Sequence, residues 1–85
     1  MPKLLFIGSA VADVVVRINR LPVTGEDLLV NQQSVSLGGC ACNAFFAAKR
    51  THLAECTLYA PIGTGMWADF VREELQKRGV TSAAP

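Results

Sequence analysis

Residues 38–50 read Gly38-Gly39-Cys40-Ala41-Cys42-Asn43-Ala44-Phe45-Phe46-Ala47-Ala48-Lys49-Arg50, and after a short break the chain continues Cys56-Thr57-Leu58-Tyr59-Ala60-Pro61-Ile62. The paired glycines interrupt whatever precedes them. The Ala-rich run behind them, closed by Lys49-Arg50, predicts a helix from Cys40 to about Leu53, because alanine loses least on entering a helix and cations suit its C-terminal end. Small residues at Ala41, Ala44, Ala47 and Ala48 let that helix lie close to a neighbour. Cys56 to Ile62 predicts a strand, closed by Gly63-Thr64-Gly65. Working upstream, Lys3 to Ser9 is dominated by a continuous apolar run that ends in Gly8-Ser9, the pattern of a strand buried on both faces. A long helix between two such strands indicates a parallel βαβ unit, and so an α/β fold.

The remaining stretches fit around that unit. Asp13 is followed by the β-branched run Val14-Val15-Val16-Arg17-Ile18, a second predicted strand. Leu21-Pro22-Val23-Thr24-Gly25-Glu26 carries the Pro and Gly of a turn. Asp27 to Leu37 alternates loosely, with Leu29, Val35 and Leu37 among Gln and Ser, and predicts one or two exposed strands. Met66 to Arg78 has the clearest helical period, with Trp67, Phe70, Val71 and Leu75 on one face and Gly79 as its C′ residue. The close, Thr81-Ser82-Ala83-Ala84-Pro85, breaks off after what reads as the start of another segment. The expectation is therefore an N-terminal fragment of a larger domain.

Composition narrows the function classes. The 85 residues are 51% hydrophobic and 18% charged, with a formal net charge of +1. That balance is globular and gives no electrostatic case for nucleic acid or an anionic membrane. No apolar run reaches the roughly 20 residues of a spanning helix, and the start is too short for a signal peptide. The three cysteines are an odd, low count that suits a reducing compartment, so a cytoplasmic location is expected.

Few residues could carry chemistry. Gly38-Gly39 before a helix lets the backbone approach a ligand; the plainer reading is a turn that needs positive φ. Asn43, one turn into the helix, can donate to and accept from a sugar hydroxyl, or can equally be a solvated Asn. Asp13 follows a strand end, where α/β folds bind ligands, and its carboxylate can accept two hydroxyls; a turn or cap Asp is the alternative. Gly63-Thr64-Gly65 is only half a dinucleotide fingerprint, and no Gly-Lys-Ser/Thr loop follows any glycine run. Cys40, Cys42, His52 and Cys56 make a poor zinc set, because two helical residues two apart point to nearly opposite sides. A Cys–His nucleophile pair with His52 lacks a third group to orient it.

The order of these signals carries more than any one of them. Gly8-Ser9 and Asp13, then Leu21-Pro22 and Gly25-Glu26, then Gly38-Gly39 with Asn43 on an Ala-rich helix, resemble the opening of PfkB/ribokinase-type carbohydrate kinases. Pro61-Ile62-Gly63 and Leu75-Gln76-Lys77-Arg78-Gly79-Val80 continue the resemblance over nearly the whole chain. Gln33 to Cys40 and Ile62 to Ala68 are most similar to an uncharacterised sugar-kinase branch.

The resemblance implies a ribokinase-like α/β fold, in which 1–85 is the N-terminal part of a mostly parallel sheet flanked by helices. A small β lid would span roughly 14–18 and 27–36, and the ATP-binding and catalytic part, with its Gly-Ala-Gly-Asp base motif, would lie downstream. It implies ATP-dependent phosphorylation of a primary hydroxyl on a sugar or nucleoside-like alcohol, with Mg²⁺, and a homodimer through the lid as a further partner. Asp13 would accept hydroxyls, Gly38 and Gly39 would form the lid hinge, and Asn43 would bond the substrate. No catalytic residue is expected within the chain, which alone would be inactive. Val11 and Cys40 stand where ribokinase-like sequences carry Asn and Lys, implying a different or less polar ligand than ribose. His52-Leu53 replace a usual helix-ending Gly, and Thr64-Gly65 an Asp pair. A standalone α/β binding or interaction module without catalysis is the competing expectation.

Overall fold

The computed structural model describes residues 1–27 and 32–84. The elements run β1 (Lys3–Ile7), β2 (Val11–Arg17), β3 (Gln32–Gly38), α1 (Cys40–Lys49), β4 (Glu55–Tyr59) and α2 (Met66–Lys77). β1 and β4 pair in parallel with Phe6 opposite Leu58, and α1 crosses between them. β2 and β3 form a separate antiparallel hairpin, with Val11 opposite Gly38 and Asp13 opposite Ser36. The α/β architecture with a parallel pair, and the hairpin inserted into its crossover, is that expected of a ribokinase-like N-terminal part. Within the stretch from Asp27 to Leu37, read as one or two exposed strands, β3 begins at Gln32, while 28–31 lie outside the described residues.

Side-chain alternation explains which face of the parallel pair is covered. Phe6 and Leu58 point at α1, where Phe45 meets the Phe6 ring edge to face at 6.1 Å. Leu58, Ala60, Cys42 and Phe45 then join Val71, Leu75 and Val80 in one core. Leu5 and Ile7, one residue out of phase, face away and are exposed, Ile7 at 69%. The expectation that β1 is buried on both faces is thus corrected. Only one face has a helix over it among the described residues, so its apolar run remains half uncovered.

The C-terminal residues explain the second edge of β4. Ala83 donates its N–H to the Leu58 carbonyl at 2.8 Å. The Ser82 hydroxyl accepts from the Ala60 N–H and donates to the Ala60 carbonyl, each at 2.8 Å. Thr81 to Ala84 therefore lies along β4 on the side away from β1. β4 itself stops at Tyr59 rather than Ile62, since Pro61 has no N–H for a ladder.

Both helix ends have local causes. α1 ends at Lys49, not Leu53: the Thr51 hydroxyl donates to the Ala48 carbonyl at 2.7 Å and accepts the Leu53 N–H at 3.2 Å. His52 then turns the chain at φ 57. α2 ends in a Schellman motif, with Val80 N–H on the Leu75 carbonyl and Gly79 N–H on Gln76, both at 2.9 Å. Gly79 has φ 71, and Val80 is drawn into the core. On α2 the buried residues are Ala68, Val71 and Leu75, whereas Trp67, expected on the same face, is 42% exposed and flanks the root of β2.

The hairpin shapes the molecule. Its radius of gyration is 16.3 Å and its extents are 54 × 26 × 22 Å, against about 12 Å for a compact chain of this length. Val14, Val15 and Val16 are exposed along β2. The Leu21–Glu26 turn is organised by Glu26, whose carboxylate takes a bidentate contact from Arg20 and accepts the Val23 N–H at 3.0 Å. The Arg20 guanidinium, and next the Val23 N–H, hold the Glu26 carboxyl below its ordinary range. No helix of the described residues is long and apolar enough to cross a membrane.

Candidate functional site

The N-terminal turn of α1, the β1–β2 junction and the root of the hairpin meet at one place. β2 sets Asp13 there by strand alternation: Val11 and Asp13 share a face, and Val11 pairs with Gly38. Gly38 is buried directly under the Asp13 carboxylate, so close that a Cβ at 38 would lie 2.0 Å from Oδ2. The glycine is thus required by close approach rather than by an unusual φ. Asp13 is exposed and makes no hydrogen bond or ion pair with the described residues.

Gly39 has a different reason to be glycine. Its φ and ψ are 103 and 142, which side-chain-bearing residues rarely adopt. A Cβ there would also lie 2.5 Å from the Ser9 carbonyl oxygen. That carbonyl accepts the Cys42 N–H at 3.2 Å, so Ser9 anchors the first turn of α1, which has no side-chain cap. The Asn43 N–H in turn donates to Gly39 O at 2.9 Å.

Of the four residues singled out from sequence, Asp13 and Gly38 come into direct approach and Gly39 lies beside Ser9. Asn43 joins them through its backbone. It lines a hollow of about 180 Å³ with Leu37, Cys42, Phe46, Arg50 and Arg78, which Asp13 does not line. Sequence reasoning missed Ser9, because its part is played by a main-chain carbonyl, and it missed Arg50, two turns after Asn43 at the end of the same helix, and Arg78, which only the packing of α1 against the end of α2 brings there. The Gly8-Ser9 strand end was the one available signal for the first.

The cysteines divide by environment. Cys40 is exposed, Cys56 half-buried, and Cys42 is fully enclosed at 0% exposure. Burial pushes the Cys42 thiol up, partly offset by the nearby Arg78 charge. Because the thiolate is the reacting form, iodoacetamide is expected to label Cys40 first and Cys42 at least about tenfold more slowly, read by peptide mass spectrometry over time. Equal rates at 40 and 42 would show that α1 is not seated on the sheet. Among the described residues no group of three His, Cys, Asp or Glu side chains could hold a metal ion.

Known proteins resemble this chain in sequence over nearly its whole length. The chain matches the family model described as pfkB family carbohydrate kinase over residues 1–84. It is 39% identical over 80 residues to the uncharacterized sugar kinase YegV of Escherichia coli (strain K12), a match that covers 94% of this chain and 25% of that protein. The chain spans about a quarter of the length of the curated relative it matches. These matches cover nearly all of a chain whose crossover carries a hairpin, and the chain belongs to the pfkB family of carbohydrate kinases.

Proposed function

We propose that the full-length protein transfers the γ-phosphate of ATP to a primary hydroxyl of a sugar or sugar-like alcohol, and that residues 1–85 supply the sugar-binding side. The observation that carries this reading is the Asp13 carboxylate, exposed, unpartnered among the described residues and seated over Gly38. A carboxylate in that position accepts hydroxyl hydrogen bonds, each stronger for its charge. Gly38 keeps the room for it, and Gly39 lets the hairpin join α1 without a side chain in the way. Asn43 stands at the same helix start but lines the neighbouring hollow rather than the space at Asp13, so the sugar reading rests on Asp13.

The hairpin would act as a lid pivoting at Gly38-Gly39, excluding water from the phosphate acceptor and so suppressing hydrolysis of ATP. Its exposed Val14, Val15 and Val16 favour pairing of two copies through the lid. Among the described residues no three His, Cys, Asp or Glu side chains cluster, and the sequence carries no Gly-Lys-Ser/Thr loop, which supports placing ATP and Mg²⁺ elsewhere in the protein. Those groups belong to the downstream part in this reading, and the chain alone is inactive. Val11 and Cys40 leave the rim around Asp13 without the amide and ammonium that a ribose-like ligand would use.

The test is a coupled ADP-release assay on the full-length protein with a panel of sugars and nucleosides. Asp13→Asn is expected to lower kcat/KM on the accepted alcohol by about 100-fold, as two charge-assisted hydrogen bonds are weakened. Residues 1–85 alone should yield no phosphorylated product. Full turnover by the Asp13→Asn protein, or product from the short chain, would overturn the assignment.

A further inference from the structure

Two hollows lie side by side between the C-terminal ends of α1 and α2. One, of about 180 Å³, includes Asn43, Phe46, Arg50 and Arg78. The other, of about 280 Å³, is lined by Phe46, Lys49, Arg50, His52 and Arg78. They share Phe46, Arg50 and Arg78, and no acidic residue lines either one. The nearest acid in the hydrogen-bond network is Glu74, and its carboxylate is already engaged by Lys77 at 3.1 Å and Arg78 at 2.9 Å. Arg50 makes no side-chain hydrogen bond or ion pair with the described residues. Arg78 lies over the Phe46 ring, with its Cζ 6.0 Å from the ring centre.

Cations in a last helical turn commonly offset the helix dipole. That effect accounts for one cation at each helix end. It does not require Lys49 and Arg50 from one helix and Arg78 from the other to line a single hollow, with Lys49 over the Phe45 ring and Arg78 over Phe46, in a chain whose net charge is only +1. A concave surface lined by a single sign of charge focuses its field on a counter-ion. Guanidinium forks match phosphate oxygens two at a time, and the stems of Lys49 and Arg50 with the Phe46 ring make an apolar floor.

We infer that this groove binds a phosphomonoester carried on an apolar body, as a soluble small molecule. The site is separate from the Asp13 carboxylate and does not depend on the sugar reading. Phenyl phosphate is the matching probe, since it has no hydroxyl for Asp13 and its ring can lie against Phe46. In isothermal titration of the full-length protein it should bind saturably at one site. Benzoate and phenol should bind at least about tenfold more weakly, as each lacks the phosphate dianion.

Arg50→Gln should weaken phenyl phosphate by about tenfold, Arg50→Lys by less, and Asp13→Asn not at all. Arg50 is exposed at the helix end, so neither of its variants should shift the melting temperature. Loss of binding in Asp13→Asn would place the phosphate at the sugar site instead and overturn the inference. Indifference to both Arg50 variants would overturn it, and so would no binding of phenyl phosphate at all. Retention on phosphatidic acid vesicles without a response to phenyl phosphate would assign the groove to a lipid headgroup and equally overturn the soluble ligand.

Discussion

Gly39→Ala is expected to destabilise the fold by about 3–5 kcal/mol, the sum of two costs that act at one atom. The first is conformational: φ 103 with ψ 142 lies in a region open essentially to glycine alone, which costs a side-chain-bearing residue about 1–3 kcal/mol. The second is steric. The new Cβ would meet Ser9 at 2.5 Å from its carbonyl oxygen and 2.9 Å from its carbonyl carbon, and these are main-chain atoms that cannot swing aside. Relieving the contact moves the carbonyl that holds the Cys42 N–H, so the first turn of α1 is disturbed as well.

Gly38→Ala provides the contrast. Its Cβ would meet the carboxylate of Asp13, at 2.0 Å from Oδ2, and a side chain can rotate away. That variant should keep most of its stability and lose the placement of Asp13. Urea unfolding of the two variants beside the parent measures the difference. A Gly39→Ala midpoint close to the parent's would show that the junction can open without cost.

Phe45→Ala should cost about 3–5 kcal/mol. Phe45 is 2% exposed and is the ring on which α1 is seated. It meets Phe6 at 6.1 Å with planes 83° apart and Phe46 at 5.0 Å with planes 79° apart, both edge-to-face geometries that add to simple burial. Total stabilities of small domains run about 5–15 kcal/mol, so this one truncation consumes a large share. Phe45→Leu, which keeps most of the volume, should cost about 1 kcal/mol. Far-ultraviolet circular dichroism through a thermal melt distinguishes them. If Phe45→Ala and Phe45→Leu melt together, α1 does not depend on that ring for its seating.

Periodicity and turn chemistry made much of this chain legible. α2 was readable because its apolar spacing, its Lys77-Arg78 end and Gly79 all agree, and Gly79 occupies the C′ position of a Schellman motif. The parallel unit was readable because an Ala-rich helix between two apolar strands has few other solutions. Where the reading failed, the deciding term was not local. α1 stops at Lys49 because the Thr51 hydroxyl competes for the Ala48 carbonyl, a hydrogen bond that composition does not announce. β1 looks like a strand covered twice, yet Leu5 and Ile7 are open, because cover depends on which elements stack and not on the run itself.

The paired glycines mark the same division. Residue order and glycine placement alone predicted the parallel crossover, since that follows from propensity, period and spacing, while the kinship with carbohydrate kinases was legible only as a resemblance in the order of its motifs. That Gly38 is needed for the Asp13 carboxylate and Gly39 for the Ser9 carbonyl was settled by strand register and by the docking of α1. The same docking brings Arg78, from the end of α2, to the hollow that Asn43 lines. Register and docking are through-space properties: they bring together residues far apart in sequence, and no window along the chain contains both partners.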